Sequence, residues 1–152
     1  MVGSNDREVE YLLYRYAELM DVGDLEGVAD LFAHGRIASS AGDPAEVFTF
    51  EGRDAVLAMY EGTVRLHEDG TPRTKHVTSN VIIDVDSSAG TAVARSYYTV
   101  MQQTEEVPLQ VVVAGRYHDT FTRSAHSWRF DTRTIFVDLV GDVSDHLTIG
   151  LS

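Results

Sequence analysis

The chain has 152 residues, 43% hydrophobic and 24% charged, a composition that fits one folded core rather than a disordered segment. Its net charge of −12 disfavours nucleic acid or an anionic membrane surface as a partner, because a field of that sign repels phosphate. Cysteine is absent, which excludes disulfides, a thiol nucleophile and a zinc-thiolate site and suits a reducing cytoplasm; no apolar run approaches the ~20 residues of a membrane span, and the opening "MVGSNDREVE" reads as neither a secretory signal nor a transit peptide.

The first 70 residues read mostly as helix. Val9, Leu12, Leu13, Tyr16 and Met20 follow helical spacing, while Glu8, Arg15 and Glu18 fall off that stripe, which predicts an amphipathic helix. "DVGD" breaks it, and Asp24 is placed to cap a second helix in which Val28, Leu31 and Phe32 share a face. "AHGRIASSAGDPAEVFTFEG" carries turn residues in its middle and a short strand at Val47 to Phe50. A third helix is predicted through "RDAVLAMYEGTVRLHE", with Val56, Leu57, Tyr60 and Val64 as its buried stripe and Gly70 as its stop.

After Gly70 the period changes to two. Strands are predicted at about Lys75 to Asp86, Thr91 to Gln103, Leu109 to Arg123 and Trp128 to Val140, joined by short turns as an antiparallel meander. Helices first and a long antiparallel sheet afterwards give an α+β domain, with the helices over one sheet face. A curved sheet covered in this way leaves a pocket, and alternation names its lining. Ala92, Ala94, Ser96, Tyr98, Val100 and Gln102 share one face of the second long strand; Val111, Val113, Gly115, Tyr117, Asp119 and Phe121 share one face of the third. Asp119, an acid on an apolar face, requires a partner or a task. Arg133 on the next strand faces Asp119 or Tyr117, depending on register, and a structural ion pair is the favoured reading. Val93, Tyr97 and Met101 point to the opposite face, an apolar stripe that a second copy would cover.

Chemistry-bearing motifs are few. The histidines at His34, His67, His118, His126 and His146 show no metal-ligand spacing. No glycine-rich nucleotide loop and no nucleophile elbow is present, so neither a metal nor a cofactor is expected. His76 opens the first long strand, and Asp21 ends the first helix, where the helix dipole disfavours a negative charge. A local rule broken in this way can mark a functional residue. The alternatives are an ordinary strand histidine and an ordinary turn aspartate.

"YRYAELMDVGDLEGVADLFAHGRI", "HVTSNVIIDVD", "AVARSYYTV" and "GRYHDTFTRSAHSWRFDTRTIF" resemble, in the same order, the SnoaL-like branch of the nuclear transport factor 2-like superfamily. That branch includes scytalone dehydratase, hexachlorocyclohexane dehydrochlorinase, bile-acid dehydratase and ketosteroid isomerase. The resemblance spans roughly residues 5 to 140 and implies one domain over residues 1–152. Its fold would be a cone-shaped, curved antiparallel sheet packed against N-terminal helices (a cystatin-like α+β barrel), usually in a homodimer or homotrimer. In the dehydratase and dehydrochlorinase relatives an Asp after the first helix pairs with a His that removes a proton; Asp21 and His76 match those positions. Arg133 matches an arginine that steadies the dehydrochlorinase leaving group, and Tyr16 matches the isomerase tyrosine that donates to the substrate oxygen.

The isomerase's basic Asp falls near Ser40 and its second Asp near Tyr117, which counts against isomerase chemistry. Scytalone dehydratase has a tyrosine where this chain has Met20, and its second histidine falls near Tyr98. The implied function is a cofactor-independent lyase or dehydratase acting on a small apolar, aromatic or polycyclic ligand. Asp21 and His76 would be catalytic, and Tyr16, Tyr98, Tyr117, Asp119 and Arg133 would bind substrate. A ligand-binding or assembly module without chemistry is the alternative, and an isomerase or polyketide cyclase a further one.

Overall fold

The structure, a computed structural model, describes residues 4–40 and 47–151. Three helices, α1 (Asn5–Asp21), α2 (Leu25–Asp30) and α3 (Gly52–Thr63), are followed or interleaved by six strands: β1 (Arg36–Ser39), β2 (Phe48–Glu51), β3 (Thr74–Asp86), β4 (Thr91–Gln102), β5 (Gln110–Ser124) and β6 (Ser127–Val140). The strands form one sheet in the order β2-β1-β6-β5-β4-β3. Among the described residues its outer strands, β2 and β3, have no further neighbour, so the sheet is an open cone rather than a closed barrel. The predicted α+β architecture and the four long strands agree with this to within a residue or two.

The predicted α1 stripe is buried at Val9, Leu13, Tyr16 and Met20. Asp24 caps α2, its side chain accepting the Gly27 amide at 2.8 Å. Between these helices, Gly23 has φ +78°, and a Cβ there would stand 2.0 Å from the Gly70 carbonyl oxygen. The "DVGD" turn therefore needs glycine both for its left-handed backbone and for room.

Four details differ from the sequence reading. β1 is a strand that alternation does not reveal, since Ile37 is the only large apolar residue in "RIAS"; it pairs in parallel with β6, so the sheet is not purely antiparallel. α3 stops at Thr63 rather than continuing to Gly70. The Thr63 hydroxyl donates back to the Met59 carbonyl at 2.8 Å, and Val64, already extended, pairs instead with Leu147. On β5, Val112 is buried and Val111 is exposed, because a bulge opposite Val100 and Met101 shifts the alternation by one residue. The turn residues predicted within 41–46 lie outside the described residues.

Irregularities also bend the sheet. Register shifts fall between Ser79 and Ile82 in β3 and at Ala114/Gly115 and Thr120/Phe121 in β5. Asn80, inside the first of these, has φ 54°, a conformation asparagine tolerates better than most residues. The concave face carries the core from Ala92 and Ala94 through Tyr98, Tyr117, Phe121 and Phe130 to the helices.

Candidate active site

Asp21 is the last residue of α1, and His76 is the third of β3. The helix end and the strand start meet through these two side chains. The His76 Nδ1 lies 2.6 Å from Asp21 Oδ1. The His76 amide donates to both carboxylate oxygens at 3.1 and 2.9 Å, and the Thr74 hydroxyl donates to Oδ1 at 2.9 Å. Three donors thus compensate a negative charge that the α1 dipole opposes. Burial pushes the Asp21 carboxyl up, but the His76 ring, its charge and amide, and Thr74 outweigh that and leave it below the usual carboxylate range. In a neutral ring, a proton on Nδ1 facing the ionised Asp21 would leave Nε2 as the acceptor.

The imidazole forms part of the wall of a cavity of about 320 Å³. Tyr16 and Met20 from α1, Met59 and Tyr60 from α3, Tyr98 and Val100 from β4, Tyr117 from β5, and Ile135 and Val137 from β6 surround it. Near the end of the described chain, His146, Leu147, Ile149, Gly150 and Leu151 complete the wall. Among the described residues no Asp, Glu, Lys or Arg side chain lines it. The site suits an uncharged, largely apolar molecule with few polar groups.

The tyrosines differ in what they can offer. Tyr98 donates to the Phe136 carbonyl at 2.9 Å, and its ring stacks on Tyr117 with centroids 4.5 Å apart. Gly115 makes this possible: a Cβ there would stand 2.7 Å from the Tyr98 hydroxyl and 1.9 Å from the Phe136 carbonyl oxygen. The Tyr98 proton is therefore committed to backbone. Tyr16 and Tyr60 hydrogen-bond to each other through their hydroxyls. Two hydroxyls have two protons and spend one on that bond, so the pair retains one donor for a ligand. Burial raises both phenols, and Tyr60 well above its ordinary value, so they remain protonated donors.

Asp119 and Arg133 are not on the wall. They sit beneath it, with Arg133 over the Tyr16 ring at 4.3 Å and the Tyr117 ring at 3.7 Å from the centroids. The fold thus brings together Asp21, His76, Tyr16, Tyr98 and Tyr117 and holds Asp119 and Arg133 one layer back, where they support the two tyrosines.

Sequence reasoning missed His146. It is 5% exposed, and its ring lies edge-on to His76 with centroids 6.0 Å apart. Spacing gives no hint of it, because it sits in an irregular segment 70 residues from His76; the flanking "HLTI" is the sole local sign that the segment packs inward. Among the described residues no cluster of His, Asp and Glu has the makings of a metal site, and no helix is long and apolar enough to cross a membrane.

A family model described as a SnoaL-like domain matches residues 4–134. No curated protein matches the chain. Among solved structures, a protein of unknown function from Mycobacterium tuberculosis superposes with a TM-score of 0.71 at 23% identity, covering 92% of this chain and 74% of its own. A nuclear transport factor 2-like protein with a cystatin-like fold from Novosphingobium aromaticivorans gives 0.71 at 23% identity, covering 93% and 86%. A protein provisionally named a scytalone dehydratase, from the same organism, gives 0.69 at 27% identity, covering 90% and 86%. By the extent of the family match, the chain belongs to the SnoaL-like family, and it shares the cystatin-like fold of these structures.

Proposed function

We propose that the protein is a cofactor-independent lyase of the dehydratase type, acting on a small, uncharged, aromatic or polycyclic hydroxy ketone. The observation that carries this is the 2.6 Å contact between Asp21 and His76 at the wall of an apolar cavity. Nε2 of His76 takes a proton from the carbon beside the substrate carbonyl, and the C–H electrons begin a double bond. The hydroxyl on the neighbouring carbon departs with its electron pair and takes the proton from the imidazolium, leaving as water. Asp21 holds the ring in the correct tautomer and stabilises its positive charge. The hydroxyl proton left over on the Tyr16–Tyr60 pair donates to the carbonyl oxygen as charge gathers there.

The test uses the bicyclic β-hydroxy ketone that yields α-naphthol on losing water, with naphthol fluorescence as the readout. The wild type is expected to accelerate naphthol formation and His76→Ala to abolish the acceleration with the fold intact by circular dichroism. Equal rates in the two proteins would sink the dyad.

One observation favours a second reading. Asp21 also staples α1 to β3 through Thr74 and the His76 amide, a task it would perform in a ligand-binding module without chemistry. Such a module would bind the product naphthol and turn nothing over.

A further inference from the structure

The segment after β6 returns across the mouth of the cone, and it is held unusually firmly for an irregular stretch. The Asp145 carbonyl accepts from Gln102 Nε2 at 3.0 Å and faces His67 Nε2 at 2.9 Å; its carboxylate accepts from the Thr104 hydroxyl at 2.6 Å. The His146 amide donates to the Val143 carbonyl at 3.0 Å, and the His146 carbonyl accepts from the Arg65 amide at 2.9 Å. Thr148 closes the far side on the Thr63 carbonyl at 2.9 Å. Gln102, itself buried, has both contacts of its amide nitrogen committed here, the second being the Pro72 carbonyl at 2.9 Å.

This clamp fixes one side chain that the fold does not use. The His146 imidazole is buried, and its Nδ1 has no hydrogen-bond partner. Among the described residues its Nε2 has none either, and unlike Nδ1 that atom is not fully buried. A buried polar group left unpaired costs about 1–3 kcal/mol, and apolar side chains at such a position would avoid that cost. The ring lies on the cavity wall beside His76.

We propose that His146 is a second substrate-contacting residue, whose uncharged imidazole hydrogen-bonds a hydroxyl or carbonyl oxygen of the ligand while His76 faces the reacting carbon. The inference rests on the cavity being a ligand site, and it deepens the reading above by fixing the substrate class. With ring centroids 6.0 Å apart, the two histidines are close enough for one small ring system to meet both. Burial and the neighbouring His76 keep the His146 imidazole neutral, lowering its pKa to about 4; Asp21 opposes this and His67 adds to it. A neutral imidazole offers one donor and one acceptor, suited to an alcohol or ketone. To a carboxylate or phosphate ester it offers only a single neutral donor, and among the described residues the wall holds no permanent cation to balance the charge.

The experiment measures equilibrium binding of β-naphthol, β-naphthoate and naphthalene to the full chain at neutral pH. The wild type is expected to bind β-naphthol and to reject β-naphthoate. His146→Phe keeps the ring volume and removes both nitrogens; it should weaken β-naphthol binding at least ten-fold, about 1.4 kcal/mol, and leave naphthalene binding unchanged. His76→Phe serves as the contrast. If it leaves β-naphthol affinity intact while abolishing turnover, the two roles are separate. In the ¹⁵N-labelled wild type, saturation with β-naphthol should shift the His146 ring nitrogens, a readout that needs no variant to fold. Unchanged β-naphthol affinity in His146→Phe, unshifted ring nitrogens, or wild-type binding of the naphthoate as tight as the naphthol overturns the proposal. Loss of turnover with normal naphthol binding and a normal His146 shift instead faults the dyad alone.

Discussion

Arg133 and Asp119 face each other directly across the β5–β6 pair and bond at two points, Nε to Oδ1 at 2.8 Å and Nη2 to Oδ2 at 3.0 Å, with neither side chain exposed. Register left open whether the arginine would meet Asp119 or Tyr117, and the structure gives both. Two residues along the same face, the Tyr117 ring lies under the guanidinium, and Tyr16 covers it from α1. The remaining nitrogen, Nη1, has no hydrogen-bond partner; the aromatic faces provide the surrounding negative potential instead. The pair fixes the two tyrosines that form the cavity wall, so its effect on function passes through packing.

Breaking this pair from one side leaves an uncompensated buried charge. Arg133→Met and Asp119→Asn are each expected to lower unfolding free energy by about 3–5 kcal/mol, and the double change Arg133→Met with Asp119→Leu to recover most of it, because apolar replacement removes both desolvation costs. Urea denaturation of the four proteins checks this. A double variant as unstable as the singles would show that Tyr16 and Tyr117 need the cation itself.

Stability should fall as pH drops, in two separate windows. The His146 pKa lies near 4 in the fold against 6.5 in the unfolded chain. Between those values the unfolded state binds a proton that the fold refuses, so the folded state loses up to about 3 kcal/mol between pH 6.5 and 4. Asp21 acts lower down. Its folded pKa is depressed below 3.8, so its contribution is complete above 3.8 and lost as pH falls through the folded value. The His146→Phe variant should lose the first window and keep the second. An unchanged profile above pH 4 would mean that folded His146 takes up its proton as readily as the unfolded chain does.

How much of this was legible depends on where the information resides. The long strands show because Tyr98 and its neighbours alternate strictly, and α1 shows because Val9, Leu13, Tyr16 and Met20 repeat with helical period. Asp21 and His76 stood out through an acid at the wrong end of a helix and through resemblance. β1 was hidden because four residues with one Ile37 carry no pattern. Val111 and Val112 were exchanged because a bulge is a local backbone choice that alternation cannot register. His146 was out of reach for a different reason: its place is set by Gln102, Thr104 and Arg65, none of them near it in sequence.

The dyad makes a graded prediction. Asp21→Asn keeps a side chain of the same shape whose single oxygen, at the Oδ1 position, still accepts from Thr74 and the His76 amide, but it loses the second acceptor of that amide and no longer stabilises a protonated imidazole. Turnover of the bicyclic hydroxy ketone should fall by roughly 10²–10⁴, while β-naphthol binding stays within a few-fold of the wild type. If binding collapses in step with turnover, Asp21 serves the fold and not the reaction.

The convex face of the sheet yields the last prediction. Val93 and Tyr97 on β4 are 49% and 52% exposed, and Ile82 on β3 and Val111 on β5 extend the same apolar surface; Met101 is partly covered. Arg95 and Arg116 stand among these apolar side chains, opposite Ile82 and Tyr97 in the register, and a sheet face that leaves several large apolar residues exposed is a surface a second copy can bury. We expect the protein to sediment at micromolar concentration as a dimer with this face inside. Tyr97→Glu adds a charge to each copy of a chain that already carries −12, and burying it would be costly. That variant should therefore sediment as a monomer with an unchanged circular dichroism spectrum and, since the cavity opens on the other side of the sheet, with β-naphthol affinity unchanged. A wild type that is monomeric under the same conditions would refute the interface, and a Tyr97→Glu protein that still dimerises would move it to another surface.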